Sequence, residues 1–524
     1  MKQKMLAAAY LAAAMALCLF PLAGLLWHRS GESSENRVLS KFPRLRTEEG
    51  WNPEFLSEAG TYFEEHFAYR QELVTADALL RGNLFGVSTA DGVIKGTDGW
   101  LYYRDSLDDY LGQNTLSERG IFNIARSLRL MQDYVEKNGR TFLFTVAPNK
   151  NSLYGEHMPY YDQVGTGEAR NIDRLEDALR TQGVHYADLF DVFEKQDQVL
   201  YHKRDSHWNN QGAALAMETL LDAVGKDHAS YADADYTVRT DFEGDLDKML
   251  YPAAVTPEEE VYYSVPFTYE YEGEVESNFD PEIETSSPQG EGQLLMYRDS
   301  FGNALLPFLA EEFAGARFTR GVPYYPDDMF FSGADTVIVE RAERFLPDMA
   351  KNPPMMQAPE AGINLVKIFR LEVGSEEDAS CEMSDEGMYM RFSGQIDERF
   401  LDTDSLIYVS VNREHIYEAF PASLERAEPT DDSGETTATS IANEPETDLA
   451  GTATENAEGA ADNGEGDGPT GVLTEGSTAA SGSDGGYVAC IGKELLPDSE
   501  LNIEVYVETD GEFQKVEQAQ FTIL

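Results

Sequence analysis

In the stretch "YHKRDSHWNNQGAALAMETLL", from Tyr201 to Leu221, a carboxylate (Asp205) and an imidazole (His207) stand two residues apart, just ahead of an amphipathic run. Side chains two apart share a direction in an extended segment and cannot meet on a helix. The chain is therefore expected to be extended through Asp205-Ser206-His207, with a helix starting at Asn209 or Asn210, either a good N-cap. In that geometry Asp205 accepts from one ring nitrogen of His207, fixes the tautomer, and leaves the other nitrogen to take a proton. The group to be deprotonated is expected in "QLLMYRDSFGNALLPFLAEEF", where Ser300 marks the passage from a strand pattern to a helix, with Gly302 two residues on. A hydroxyl there faces the carboxyl edge of a parallel sheet, and free amides at the helix start can hold a developing oxyanion. The chain order Asp, His, Ser is no obstacle, because a triad is defined by geometry.

Plainer readings stand beside these. A serine before a helix can be an N-cap, and an Asp-x-His pair can be a structural hydrogen bond. His202, Asp205 and His207 fall within six positions and admit a metal reading, but no cysteine or further histidine cluster joins them, and no metal is expected. "VAPNKNSLYGEHMPYY" places Asn149 and Lys150 at a strand end. Asn149 is a candidate oxyanion donor and Lys150 a candidate holder of an acidic substrate group; the alternative is a turn at Pro148-Asn149. Trp208, beside the base, joins Gly302, Asn149 and Lys150 as an oxyanion or substrate-binding candidate. In "VIVERAERFL", Glu340, Arg341 and Arg344 read as an internal ion pair.

The elements that must position these residues follow from periodicity. Helical patterns run from Ile121 to Glu136, from Asn171 to Gln182, after Asn210, and through "GNALLPFLAEEF". "RTFLFTVAP", "QLLMYRD" and "DTVIVERAERFL" are continuous apolar strand runs, as expected for strands covered on both faces. "GVIKGTDGWLYY" reads as two short strands about Thr97-Asp98-Gly99, a helical leader precedes it, and Thr237 to Glu274 is β-rich. The alternation implies an α/β domain with a mainly parallel sheet over 96–370. Beyond it, 371–524 carries strand patterns and no helical signal, a small all-β sandwich-like domain. A Gly/Ala/Thr/Glu/Asp-rich segment without Lys, Arg or aromatics interrupts it over 427–486 and is expected to be disordered.

The 524 residues carry a formal net charge of -55, which argues against nucleic acid and against docking on an anionic lipid surface. Lys2 and Lys4 precede an uncharged apolar run from Met5 to Trp27, long enough to cross a bilayer. Residues 1–30 are expected to be a single-pass signal-anchor, with a linker and leader over 31–95 and the bulk of the chain outside the cytoplasm; a cleaved signal peptide is the rival reading. Of three cysteines, Cys381 and Cys490 can form a disulfide in such a compartment or remain buried thiols, the favoured reading.

"RDSHWNNQGA", "MYRDSFGN", "VAPNKNSLYGEHMP", "GTDGWLYY" and "VIVERAERFL", with "ENRVLSKFPRL" and "GDLDKML", together resemble the motif series of the AlgX/AlgJ-type SGNH-hydrolase-like proteins, called the DHHW family in Gram-positive bacteria. The resemblance runs from about Glu35 to Leu346. It implies a flavodoxin-like SGNH fold with permuted catalytic blocks, and O-acetylation of an exported polysaccharide. It places Asp205 and His207 on the family's Asp-x-His pair and Ser300 on its nucleophile. The tetrad here reads Asp-Ser-His-Trp, so Ser206 replaces the inner histidine. No cofactor is implied; a multi-spanning membrane acyltransferase would deliver the acetyl group. An acetyl esterase of the same fold, or a non-catalytic glycan-binding scaffold, are the competing expectations.

Overall fold

Runs of consecutive apolar residues, such as Phe142 to Phe144 within Thr141–Ala147 and Val337 to Val339 within Thr336–Ala342, need cover on both faces, and the central sheet has it. The computed structural model describes residues 40–47, 50–161, 164–167, 169–363, 368, 371, 379–424, 483–497 and 500–522, with ten positions between 5 and 24. Strands β1 (Thr141–Ala147), β2 (Tyr186–Ala187), β3 (Glu270–Glu272), β4 (Glu282–Ser286), β5 (Gln293–Tyr297), β6 (Gly315–Thr319) and β7 (Thr336–Ala342) form one sheet in the order β2-β1-β7-β5-β6-β4-β3. From β2 to β6 all pairings are parallel, while β4 and β3 extend the edge in antiparallel fashion. Counted from β5, the parallel strands take the flavodoxin-like order 2-1-3-4-5. Strand β5 is third of the five along the chain, so β1 and β2 serve as the fourth and fifth strands of that count. This is the permutation expected above.

Helices α1 (Glu118–Lys137) and α2 (Asn171–Gln182) cover one face, where Leu128 and Leu175 meet Phe142, Phe144 and Val337. Helices α3 (Asn210–Val224) and α4 (Gly302–Glu312) cover the other, where Met217 and Leu305 meet Leu143, Met296 and Ile338. Successive residues of β1 thus feed opposite cores, as pleating requires. The hairpin about Asp98 and Gly99 is present, with both residues at positive φ. The leader forms two helices, Phe55–His66 and Arg70–Phe85, broken at Tyr69, whose φ is 62°. Between Thr237 and Glu274, Tyr236–Phe242 pairs with Glu258–Tyr263 around a helix, Asp245–Leu250, that periodicity did not reveal.

The C-terminal part is two four-stranded antiparallel sheets enclosing Phe392, Val409, Tyr487, Ile503 and Val505. It is tied to α1 by Arg119 Nη1, which donates to the Ser405 carbonyl at 2.6 Å, and by Asn123 Nδ2, which donates to the Asp484 carbonyl at 3.1 Å. Of the segment 427–486, residues 427–482 fall outside the described ones. Its last four positions belong to the strand Ser483–Gly492, because Gly486 and Ser483 pair with Ala422 and Leu424. Cys381 and Cys490 are free thiols, and burial pushes them up to about 11 and about 12. Among the described residues no helix is long and apolar enough to cross a membrane; most of 1–30 lies outside them.

Candidate active site

The loop after β2 is pinned before it is chemical. Tyr201 and Trp208 bridge its ends, and Asn209 caps α3 by accepting from the Gly212 amide at 3.0 Å. Lys150 is buried beneath, donating to the carbonyls of His202 and Lys203 at 3.1 Å each and of Asp205 at 2.5 Å. The ammonium's three protons are thereby committed, so Lys150 staples the loop and does not hold a substrate acid. Burial pushes it down to about 8.

Asp205 Oδ1 accepts from the His207 amide at 2.9 Å and from its Nδ1 at 2.8 Å. The expected pair is present, but the chain bends through it and is not extended. No neighbouring strand takes the His207 amide; the carboxylate does, and draws the backbone into an Asx-type turn. Asp205 Oδ2 accepts from the Asp245 amide at 2.8 Å. Asp245 in turn accepts from the Ser206 amide at 2.8 Å, from the Ser206 hydroxyl, and from the Leu246 amide at 2.5 Å, and its Oδ2 lies 3.6 Å from His207 Nδ1. Burial would raise Asp205, but the hydrogen bond and charge of His207 hold it below the usual carboxylate range. Burial and the Asp205 charge instead push Asp245 up to about 7. A second carboxylate thus backs the Asp-His pair, and Ser206 hooks it in place.

Ligand atoms of Asp205, His207 and Asp245 lie within 4.8 Å of one another. Both oxygens of each carboxylate already accept from amides, a hydroxyl or the imidazole, so the cluster is self-satisfied and a poor cation cradle. His202 stands apart, its Nε2 2.9 Å from Glu260 and its ring 3.7 Å from that of Phe242.

Ser300 follows β5, at the switch point where the order reverses between β5 and β7. The next residue, Phe301, joins the two motifs: its ring lies 4.9 Å from that of His207, 4.8 Å from Trp208 and 6.2 Å from Tyr201. Asp299 fixes this turn, accepting from the Phe301 amide at 3.0 Å and the Ala342 amide at 2.6 Å. The arginines of β7 and the turn after it serve Asp299: despite burial, the charges of Arg344 and Arg341 hold its carboxyl low, while burial and Asp299 push Glu340 well above its ordinary value. Arg344 Nη2 also donates to Ser300 Oγ at 3.4 Å, a contact that reading the segment as an internal ion pair does not anticipate. His207 Nε2 is buried without a partner among the described residues, and Ser300 Oγ is not hydrogen-bonded to it here.

Gly302 opens α4 where a Cβ would lie 2.6 Å from the Cβ of Arg298. Among the described residues, no hydrogen bond from the Ser300 or Gly302 amide is present. Asn149 is buried and anchored, one proton of its Nδ2 going to Asp109 Oδ2 at 3.2 Å and its backbone amide donating to Glu343 at 3.0 Å, and no contact joins it to Ser300 among the described residues. Trp208, 2% exposed, is a wedge between Phe193 and Phe301 and presents no surface to a substrate. Asp245, Phe301 and Arg344 are the site residues to which spacing gave no role at the site, although each lies in a motif of the resemblance, "GDLDKML", "MYRDSFGN" and "VIVERAERFL".

Residues 93–275 match a family described as "SGNH hydrolase-like domain, acetyltransferase AlgX", a stretch holding Asp205, His207 and Asp245 but ending before Ser300. Over 180 residues the chain is 26% identical to the probable alginate O-acetylase AlgJ of Pseudomonas syringae pv. tomato, covering 33% of this chain and 44% of that relative. The chain therefore spans less than half the length of that relative. Among solved structures it is similar to Bacillus cereus PatB1, with TM-score 0.40, 16% identity and coverage of 48% of this chain and 96% of the other. The O-acetyltransferase domain of Pseudomonas putida AlgJ gives TM-score 0.32 and 18% identity, covering 49% and 92%.

Proposed function

Since the α/β part of this chain belongs to the AlgX/AlgJ-type SGNH hydrolase-like family, we propose that it is an O-acetyltransferase acting on an exported or cell-wall polysaccharide. The observation carrying this reading is the oriented imidazole: Asp205 holds His207 Nδ1 at 2.8 Å, Nε2 is left unpartnered, and the ring rests on the residue after Ser300. In the proposed sequence His207 Nε2 takes the Ser300 proton as Oγ attacks an acetyl carbonyl. The free amides of Ser300 and Gly302, with Arg344 beside them, receive the oxyanion. The donor's oxygen leaves with the proton from His207, giving acetyl-Ser300. A sugar hydroxyl then attacks that ester, yields its proton to Nε2, and departs acetylated as Ser300 is reprotonated.

Residues 1–30 would hold the chain at the cell membrane with its bulk outside. A multi-spanning acyltransferase there would supply the acetyl group, and no cofactor is required. The contact of Ser300 Oγ with Arg344, in place of His207, favours a second reading, a non-catalytic glycan-binding scaffold. The full chain in mild detergent, offered para-nitrophenyl acetate with and without a glycan acceptor, tests both. Transfer to glycan that is lost in Ser300→Ala supports the transferase; release to water alone supports an esterase; no turnover in any condition supports the scaffold.

A further inference from the structure

We infer that a cleft on the outer side of α3 is a binding site for the uncharged sugar residues flanking the acetylated one; this rests on the transferase reading and adds to it the class of polymer. The cleft measures about 410 Å³, within the range of small-molecule sites. Gln211, Leu215 and Glu218 line it at helical spacing, and Gln211 stands four residues beyond His207. The cleft begins in the first turn of α3, the helix that starts three residues after His207, and the inference lays the neighbours of a sugar held at Ser300 and His207 along this face.

The lining chemistry suits sugars. Exposed Tyr236 and half-buried Tyr263 bring aromatic rings to one wall, 6.3 Å apart, over the buried Tyr231, whose ring meets that of Tyr263 edge-on at 4.8 Å. Such rings offer flat apolar surfaces with polar rims, suited to the C–H faces of a pyranose. Tyr231 is 4% exposed and its hydroxyl is buried without a hydrogen-bond partner among the described residues, an orphaned group that a ligand hydroxyl would satisfy. Gln211 Nε2 lies 3.4 Å from Gln198 Oε1, a long contact leaving amide groups for further hydrogen bonds.

The charges select against polyuronates. Asp197 and Glu218 line the cleft, and its lysine, Lys195, donates to Asp191 at 2.5 Å. Hydroxyls can donate to the two carboxylates, whereas the carboxylates of an acidic polymer meet like charge in a chain of net charge -55.

The test is a glycan array carrying neutral and uronic-acid oligosaccharides beside control peptides, probed with the full chain in mild detergent and with Tyr236→Ala and Gln211→Ala. Tyr236 is 52% exposed, so its truncation leaves the core intact. Neutral oligosaccharides should be retained, each variant should weaken that binding about tenfold, and both should hydrolyse para-nitrophenyl acetate within twofold of the parent. Undiminished binding in both variants, retention of only acidic oligosaccharides or only peptides, or no retention at all would overturn the inference. Loss of ester hydrolysis in the parent chain would strike the transferase reading instead.

Discussion

Gly244→Ala is a small change with a large expected effect on the Asp205-His207 pair. A Cβ at Gly244 would lie 2.2 Å from the Arg204 carbonyl oxygen, 2.6 Å from its carbon and 3.0 Å from the Asp205 amide nitrogen. All three are backbone atoms, so no side-chain rotation relieves the contact. Reaching ordinary van der Waals separation moves one segment by roughly 1 Å, and overpacking of this kind costs about 1–3 kcal/mol. The two segments pushed apart are joined by the hydrogen bond from the Asp247 amide to the Arg204 carbonyl (3.1 Å) and, one residue on from the clash on each side, by that from the Asp245 amide to Asp205 Oδ2 (2.8 Å). A 1 Å misplacement of a catalytic group lowers rate by on the order of 100-fold. The assay is kcat on para-nitrophenyl acetate beside the urea midpoint of the same preparation. A variant retaining kcat within twofold would refute the idea that the 244–247 segment sets the position of Asp205.

Three further perturbations probe the same assembly. Asp205→Asn puts an amide group where either His207 Nδ1–H or the Asp245 amide already donates, so it reverses the tautomer or breaks a bond; kcat should fall by about 10³–10⁴ with little change in KM, and an unchanged kcat contradicts the orienting role. Arg344→Ala removes the donor to Ser300 Oγ and should lower kcat by about 10²–10³, with partial recovery in Arg344→Lys or added guanidinium, whereas full activity would make Arg344 a mere partner of Asp299. Burial and then Asp205 push Asp245 to about 7, above its unfolded value, so the stability it lends is full below about pH 4 and is lost as pH rises through about 7. At about 1.4 kcal/mol per factor of ten in proton affinity, the ceiling is roughly 4 kcal/mol; Asp245→Asn should flatten that decline in urea titrations, and parallel curves would contradict it.

Local signals carried much of this architecture. The apolar runs of β1, β5 and β7 are legible because burial on both faces leaves no polar alternation to confuse them, and α2 ends at Gly183 with the left-handed cap that glycine favours. The Asp205-His207 pair is legible because its geometry is set within three residues. What failed depends on distant partners. Lys150 turns inward because three carbonyls of a loop more than fifty positions away converge on it, and Asn149 is anchored by Asp109. Asp245 enters through the backbone of a loop forty positions beyond Asp205, and Arg344 reaches Ser300 only because β7 lies next to β5. The Asx-type turn shows the same limit at short range: spacing brought the side chains together, while the missing neighbour strand decided the backbone.

The central claim, a proton relay from Ser300 to His207, is tested most directly by mass spectrometry of the chain quenched during turnover of an acetyl ester. The account predicts one acetyl group on the Ser300 peptide, absent in Ser300→Ala and formed far more slowly in His207→Gln. Turnover with the acetyl group on another residue, or labelling of Ser300 at an undiminished rate without the imidazole, would contradict it.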